Sequence, residues 1–296
     1  MAKVTVDATG ASAIRMVSDP LTGTAMGEVG TPFAVSPRKV IVIVHGAGSF
    51  PDDYFKPLVA ALEQRLGGPF NYIPAYYADI TNPFSLGVTA QVTPMDSPAA
   101  ASFKQAMIDE MQRTHAAAQQ SSRSAGLTAL SVEPPPNVVT LSLVQVIVRE
   151  VGEYLFTSSI RARIQERIVA ALDQAAQSFD EIVLATLSLG TLVGFDALTL
   201  TADRYKISSF FTTGSPLAML RRLGVRPADL GAINRANVAR WLNLYDTNDV
   251  IASSIGPQFP DYRLYDVYVS VGNSPLTAHD YFNNGETLDL LADAMR

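Results

Sequence analysis

The 296-residue chain contains no cysteine, a single tryptophan and three histidines. The lack of cysteine excludes disulfides and thiolate metal sites and fits a reducing compartment. Three histidines build a metal centre only if they converge, and His45, His115 and His279 lie in very different sequence contexts. Charge is sparse, with 17% Asp, Glu, Lys and Arg and a formal net charge of −6, so no basic nucleic-acid surface is expected. Long apolar runs are also missing. The longest, VVTLSLVQVIV (138–148), has 11 residues, whereas a membrane-spanning helix needs about 20. The N-terminal stretch MAKVTVDATGASAIRMVSDP has no apolar core of a secretory signal. These absences predict a soluble, cytoplasmic protein with no transmembrane segment, no metal, no organic cofactor and no nucleic-acid partner. They leave its oligomeric state open.

What the chain has is apolar bulk. At 48% hydrophobic residues it can bury one large core, which predicts a single domain over 1–296 with a sizeable insertion. KVIVIVH (39–45) is β-branched and apolar throughout, the pattern of a strand buried on both faces of a parallel sheet. YFKPLVAALEQRL then reads as a helix stopped by Gly67-Gly68, and FNYIPAYYAD (70–79) as the next strand. Further strands are expected in SFDEIVLATLS, ISSFFTTGSP (207–216), ARWLNLYDTNDVI (239–251) and YDVYVSVG (265–272). LGTLVGFDALTL and GETLDLLADAM read as helices. Alternating strands and helices predict an α/β architecture around a mostly parallel sheet. Residues 1–37 are weakly patterned, an irregular leader or an antiparallel sheet edge. Residues 80–160, rich in Pro, Ser and Ala, are too long for a loop and are expected to form a mostly helical cap or lid inserted into the domain.

ATLSLG (185–190) places Ser188 between a strand and a helix. Such a serine is either a buried turn residue or a nucleophile lifted above the sheet edge, beside the unpaired N–H groups of a helix start. Small residues are expected around it because the turn is cramped. Gly190 and Gly194 fit, while the β-branched Thr186 crowds the turn. HGAG (45–48) follows a buried strand and lacks the lysine and glycine spacing of a phosphate loop. The N–H groups of Ala47 and Leu189 are the candidates for an oxyanion hole. As base, His45 fits loop shaping better than proton transfer, and His115 lies in a polar helical stretch. His279, in the loop after the last strand, returns to the sheet edge. A base needs an acid to orient it. Asp246 and Asp249 both follow a strand, and Asp249 is favoured because it lies deeper in its loop with Val250-Ile251 anchoring the backbone.

Taken together and in order, VIVIVHGAG, ATLSLGTLVGFDAL, FFTTGSPL, WLNLYDTNDVIA and TAHDYF resemble the α/β-hydrolase fold superfamily, in particular serine hydrolases of the lipase/esterase kind. The resemblance spans about residues 39–282, apart from the insertion. It implies an α/β-hydrolase fold with a helical cap and the chain order Ser188, Asp249, His279 for nucleophile, acid and base. Ala47 and Leu189 would be oxyanion donors. His45, Gly46, Gly48, Ser215 and Pro216 would lie at the substrate. The departure is Thr186 in place of the first glycine of G-x-S-x-G. The implied activity is hydrolysis of carboxylic esters, lipid or other apolar acyl esters among them, through an acyl-enzyme. An amide or thioester hydrolase with the same triad, or a non-catalytic binding protein on the same fold, are the alternatives.

Overall fold

The computed structural model describes residues 37–81, 98–124, 138–224, 237–259, 263–274 and 277–296. The expectations for 1–36, for 82–97 and for 125–137 fall outside them. Six strands form one sheet: β1 (Lys39–Val44), β2 (Tyr72–Ala75), β3 (Glu181–Leu187), β4 (Ile207–Thr213), β5 (Trp241–Tyr245) and β6 (Leu264–Tyr268). Their order is β2-β1-β3-β4-β5-β6, and every neighbouring pair is parallel. The expected "mostly parallel" sheet is therefore wholly parallel among the described residues. Parallel neighbours need a crossover; helices lie between most consecutive strands, while among the described residues the β5–β6 connection carries only a 3-10 segment, Gly256–Gln258.

Period-two alternation assigns each strand's side chains to two cores. Ile41, Ile43, Val183, Ala185, Phe211 and Leu244 point to one face. There they meet helices α1 (Lys56–Leu66) and, at the C-terminus, Gly285–Met295. Val40, Val42, Val44, Ile182, Leu184, Phe210 and Trp241 point to the other. Both faces are covered, which explains the uninterrupted apolar run in β1. Helix α1 stops where the glycines predicted, with Gly67 in the left-handed region (φ 76°) and its N–H donating to Glu63 O.

The second face holds more than the crossover helices. After α2 (Ala78–Thr81), the inserted segment contains α3 (Pro98–Ser124) and α4 (Val138–Phe156), followed by α5 (Ser158–Ser178). Phe103, Met107 and Met111 of α3, and Ile147, Val148, Val151 and Tyr154 of α4, belong to the same buried cluster as the sheet and α5. These parts of α3 and α4 are thus a packed layer of the core. Beyond β3 lie α6 (Leu189–Thr201), α7 (Leu217–Arg222) and, numbered last, α8 (Gly285–Met295). The Asn284 side chain caps α8 by accepting the Thr287 N–H at 3.0 Å. No helix among the described residues is long and apolar enough to cross a membrane.

Candidate active site

Four loops leave the carboxyl ends of β1, β3, β5 and β6, and each carries one group of the expected site. In open parallel sheets this edge is where sites form. The β3–α6 turn is the tightest. Ser188 sits between the last residue of β3 and the first of α6 with φ 54° and ψ −124°, a conformation that costs a non-glycine residue on the order of 1–3 kcal/mol. The turn holds because neighbours grip it. The Ser188 N–H donates to Thr213 O at 2.9 Å. The Ser188 carbonyl accepts from Thr191 Oγ1 at 2.7 Å, and Thr191 Oγ1 bonds Ser215 Oγ at 2.8 Å.

Glycines make the turn possible. A Cβ on Gly190 would lie 2.3 Å from His45 O, so the start of α6 rests directly on the end of β1. A Cβ on Gly46 would meet Ser188 Cβ at 2.7 Å, so the loop after β1 lies against the serine. The anomalous Thr186 fits for a related reason. Its methyl fills the space left by Gly194, where a Cβ would stand 2.9 Å from Thr186 Cγ2, and its hydroxyl donates to Phe211 O at 2.6 Å.

His279 Nδ1 donates to Asp249 Oδ2 at 2.8 Å, which fixes the tautomer and leaves Nε2 as an acceptor. The imidazole lies over Gly214, where a Cβ would come within 2.8 Å of its Cε1. Gly214 directly follows Thr213, whose carbonyl holds Ser188, so histidine and serine converge on one point of the β4 turn. Ser188 Oγ and His279 Nε2 are both buried without a protein hydrogen-bond partner. Burial disfavours the imidazolium, but the charge and hydrogen bond of Asp249, with a smaller contribution from Asp280, outweigh it and raise the His279 pKa above 6.5.

The two candidate acids have different partners. Asp249 meets the imidazole through Oδ2, accepts Tyr281 OH on the same oxygen at 3.0 Å, and accepts the Ile251 N–H on Oδ1 at 2.9 Å. Asp246 instead accepts the backbone N–H groups of Asn248, Val271 and Gly272 and fastens its loop to the segment after β6. Tyr281 was not singled out from sequence. It stands two residues after His279, and no feature of the sequence marks its hydroxyl as turning toward Asp249.

The loop after β1 is held from several sides. His45 Nδ1 donates to Gly46 O at 2.8 Å, and its Nε2 accepts the Tyr77 N–H at 3.1 Å. Burial lowers its pKa to about 4, so it is neutral. Both nitrogens face backbone, which leaves His45 no atom for a substrate. Tyr77 OH donates to His45 O at 2.8 Å. Gly48, with φ 123°, gives its N–H to Glu150 Oε2 at 3.0 Å. Ala47 and Leu189 are buried beside Ser188, and neither N–H has a protein acceptor among the described residues. Leu189 opens α6, where N–H groups lack helical acceptors. Ser215 and Pro216 are buried. Ser215 Oγ is taken by Thr191 and by the Leu217 N–H, so it supports the elbow from beneath. His115 lies within α3, in the inserted segment. Among the described residues no three His, Asp or Glu side chains group as metal ligands.

An all-parallel sheet with helices on both faces, a serine at a strand–helix turn and partner loops after two later strands define an α/β-hydrolase-like fold. No family model matches the chain, and no curated protein matches it in sequence. A solved structure similar to it is a protein from Xanthomonas campestris pv. campestris, provisionally described as a hydrolase of the alpha/beta superfamily. The two are 14% identical, the alignment covers 86% of this chain and 95% of that one, and the TM-score is 0.40.

Proposed function

We propose that the protein is a serine hydrolase that cleaves carboxylic esters through an acyl-enzyme. The observation that carries this is the placement, on loops at one sheet edge, of Ser188 on a strained backbone and of His279, whose Nδ1 is bonded to buried Asp249; Ser188 Oγ and His279 Nε2 are both buried and free of hydrogen bonds, to each other included. A turn serine kept for packing has no need of the strain, and a packing histidine has no need of a buried carboxylate behind it.

In this mechanism Ser188 Oγ attacks the ester carbonyl carbon while His279 Nε2 takes its proton. The carbonyl electrons move onto oxygen, and the N–H groups of Ala47 and Leu189 receive that oxyanion. Asp249 stabilises the imidazolium. As the tetrahedral species collapses, the C–O bond to the alcohol breaks and His279 returns the proton to the leaving oxygen. Water, deprotonated by His279, then attacks the acyl-enzyme. The acid departs and Ser188 regains its proton.

Incubation with a fluorophosphonate probe, followed by mass-spectrometric mapping, is expected to modify Ser188 alone and to block hydrolysis of p-nitrophenyl butyrate. Ser188→Ala should fold and lose both. Folded wild-type protein that neither takes the probe nor turns over any p-nitrophenyl ester would sink the proposal and leave a binding protein on a hydrolase fold.

A further inference from the structure

We infer that Glu150, a buried glutamate of the inserted helix α4, is a positioning residue for the oxyanion hole. The inference rests on the hydrolase reading above and adds a residue that neither the motif nor the triad contains. Glu150 lies 102 positions from the loop it touches, with a side chain closed to solvent, and its Oε2 accepts the Gly48 N–H at 3.0 Å. Arg149, half-exposed, pairs with Oε1 at 3.0 Å and offsets the cost of the buried charge.

The geometry of two successive peptide planes explains what this does. A trans peptide sends its C=O and N–H in opposite directions. The plane joining Gly46 and Ala47 has its carbonyl captured by His45 Nδ1 at 2.8 Å and Tyr77 OH at 3.3 Å. The Ala47 N–H is therefore aimed away from His45 and Tyr77. The next plane, joining Ala47 and Gly48, is captured at its N–H by Glu150. With both flanking planes pinned, Ala47 has little freedom left, although Gly48 sits in the left-handed region that only glycine enters cheaply. If Glu150 lets go, the Gly46–Ala47 plane keeps its carbonyl contacts and Phe50 O keeps Tyr76 OH, but the Ala47–Gly48 plane between them is no longer held. The Ala47 donor is then anchored at its carbonyl side alone and can rock about it. A donor is useful to the transition state only when it is aimed before charge develops.

The position of the acceptor, not its charge, is what matters here, and two variants separate them. In E150Q the amide oxygen still reaches Gly48. In E150D the charge stays but the carboxylate withdraws by one C–C bond, about 1.5 Å. E150A serves if E150D does not fold. Steady-state hydrolysis of p-nitrophenyl butyrate is measured beside thermal midpoints. The expected result is a kcat at least tenfold down in E150D or E150A, KM within twofold, and E150Q within threefold of wild type. Y154F is the control. It cuts the hydrogen bond from the same helix to Asp196 of α6, 2.8 Å in the native protein, and should lower the midpoint while sparing kcat. The inference is overturned if E150D or E150A keeps wild-type kcat. It is also overturned if E150Q falls as far as they do, or if Y154F lowers kcat equally. Wild-type protein without ester turnover would instead strike the hydrolase reading itself.

Discussion

Asp246 and Asp249 are three residues apart and both fully buried, yet only one faces the imidazole. Asn substitution should separate their roles. Asp249→Asn leaves the shape intact but no longer accepts the Nδ1 proton reliably, so the base is misoriented and kcat should fall by about 10⁴-fold, as in other triads. Asp246→Asn loses acceptor strength toward three backbone N–H groups, so it should lower the thermal midpoint and change kcat far less. Equal losses of kcat would mean that loop integrity, not the imidazole contact, sets the rate. The pH profile tests the same pair. His279 works as a base only when neutral, and its pKa lies above 6.5. The acid limb of kcat/KM should therefore fall above 6.5, with activity lost as pH drops through it. Asp280→Asn removes one contributor to that rise and should shift the limb downward. The sequence favours Asp249 over Asp246 because its loop continues into Val250-Ile251, and it is Asp249 Oδ2 that meets the imidazole. The support from Tyr281 was not legible, because nothing in TAHDYF says which hydroxyl turns inward.

At the scale of elements, the elbow shows why a motif mismatch need not break a site. G-x-S-x-G expects a small residue two before the serine, and here Thr186 takes that place. The space it needs comes from Gly194, one turn into α6, and its hydroxyl finds the β4 carbonyl of Phe211. The exchange is reciprocal, so the two positions should couple. Gly194→Ala alone forces a contact at 2.9 Å and should cost about 1–3 kcal/mol of stability. Thr186→Ala alone loses a buried hydrogen bond and a methyl group, about 1–3 kcal/mol. In the double variant the added methyl occupies the vacated space, so the loss should be smaller than the sum by at least about 0.5 kcal/mol. Strictly additive denaturation midpoints would mean that the contact is soft. Both glycines were visible in LGTLVG, and so was the crowding at Thr186. Their compensation was not, since it depends on how closely α6 approaches β3. The same limit applies to Ser215. GSP marks a turn near the site, but only the fold shows its hydroxyl bonded to Thr191 beneath the elbow.

For the whole molecule, α4 matters because it is bonded to two separate elements of the fold. It reaches the loop after β1 through Glu150 and the body of α6 through Tyr154, whose OH donates to Asp196 Oδ2. The length and composition of 80–160 predict helices, and α3 and α4 lie there. Length and composition could not announce that the C-terminal half of α4 is core, because an apolar run reads alike in a lid and in a buried layer. The Asp196 contact leaves a thermodynamic trace. Burial raises the Asp196 pKa from 3.8 to about 6, against the opposing Tyr154 hydrogen bond and the charge of Arg161. A carboxyl group whose pKa rises on folding is protonated more readily in the native state. Its contribution to stability is thus complete below pH 3.8 and is lost as pH rises through about 6. The shift corresponds to about 3 kcal/mol. Asn at this position stays neutral and can still accept from Tyr154. Wild-type protein should therefore lose stability relative to Asp196→Asn between about pH 4 and pH 6, and the variant should be the more stable at pH 7.5. Urea titrations of both proteins across that range check the sign, because every other titrating group is common to the two and cancels. A difference that stays flat with pH would mean that Asp196 remains charged in the core, and that α4 is fastened to α6 by a charged contact rather than a protonated one.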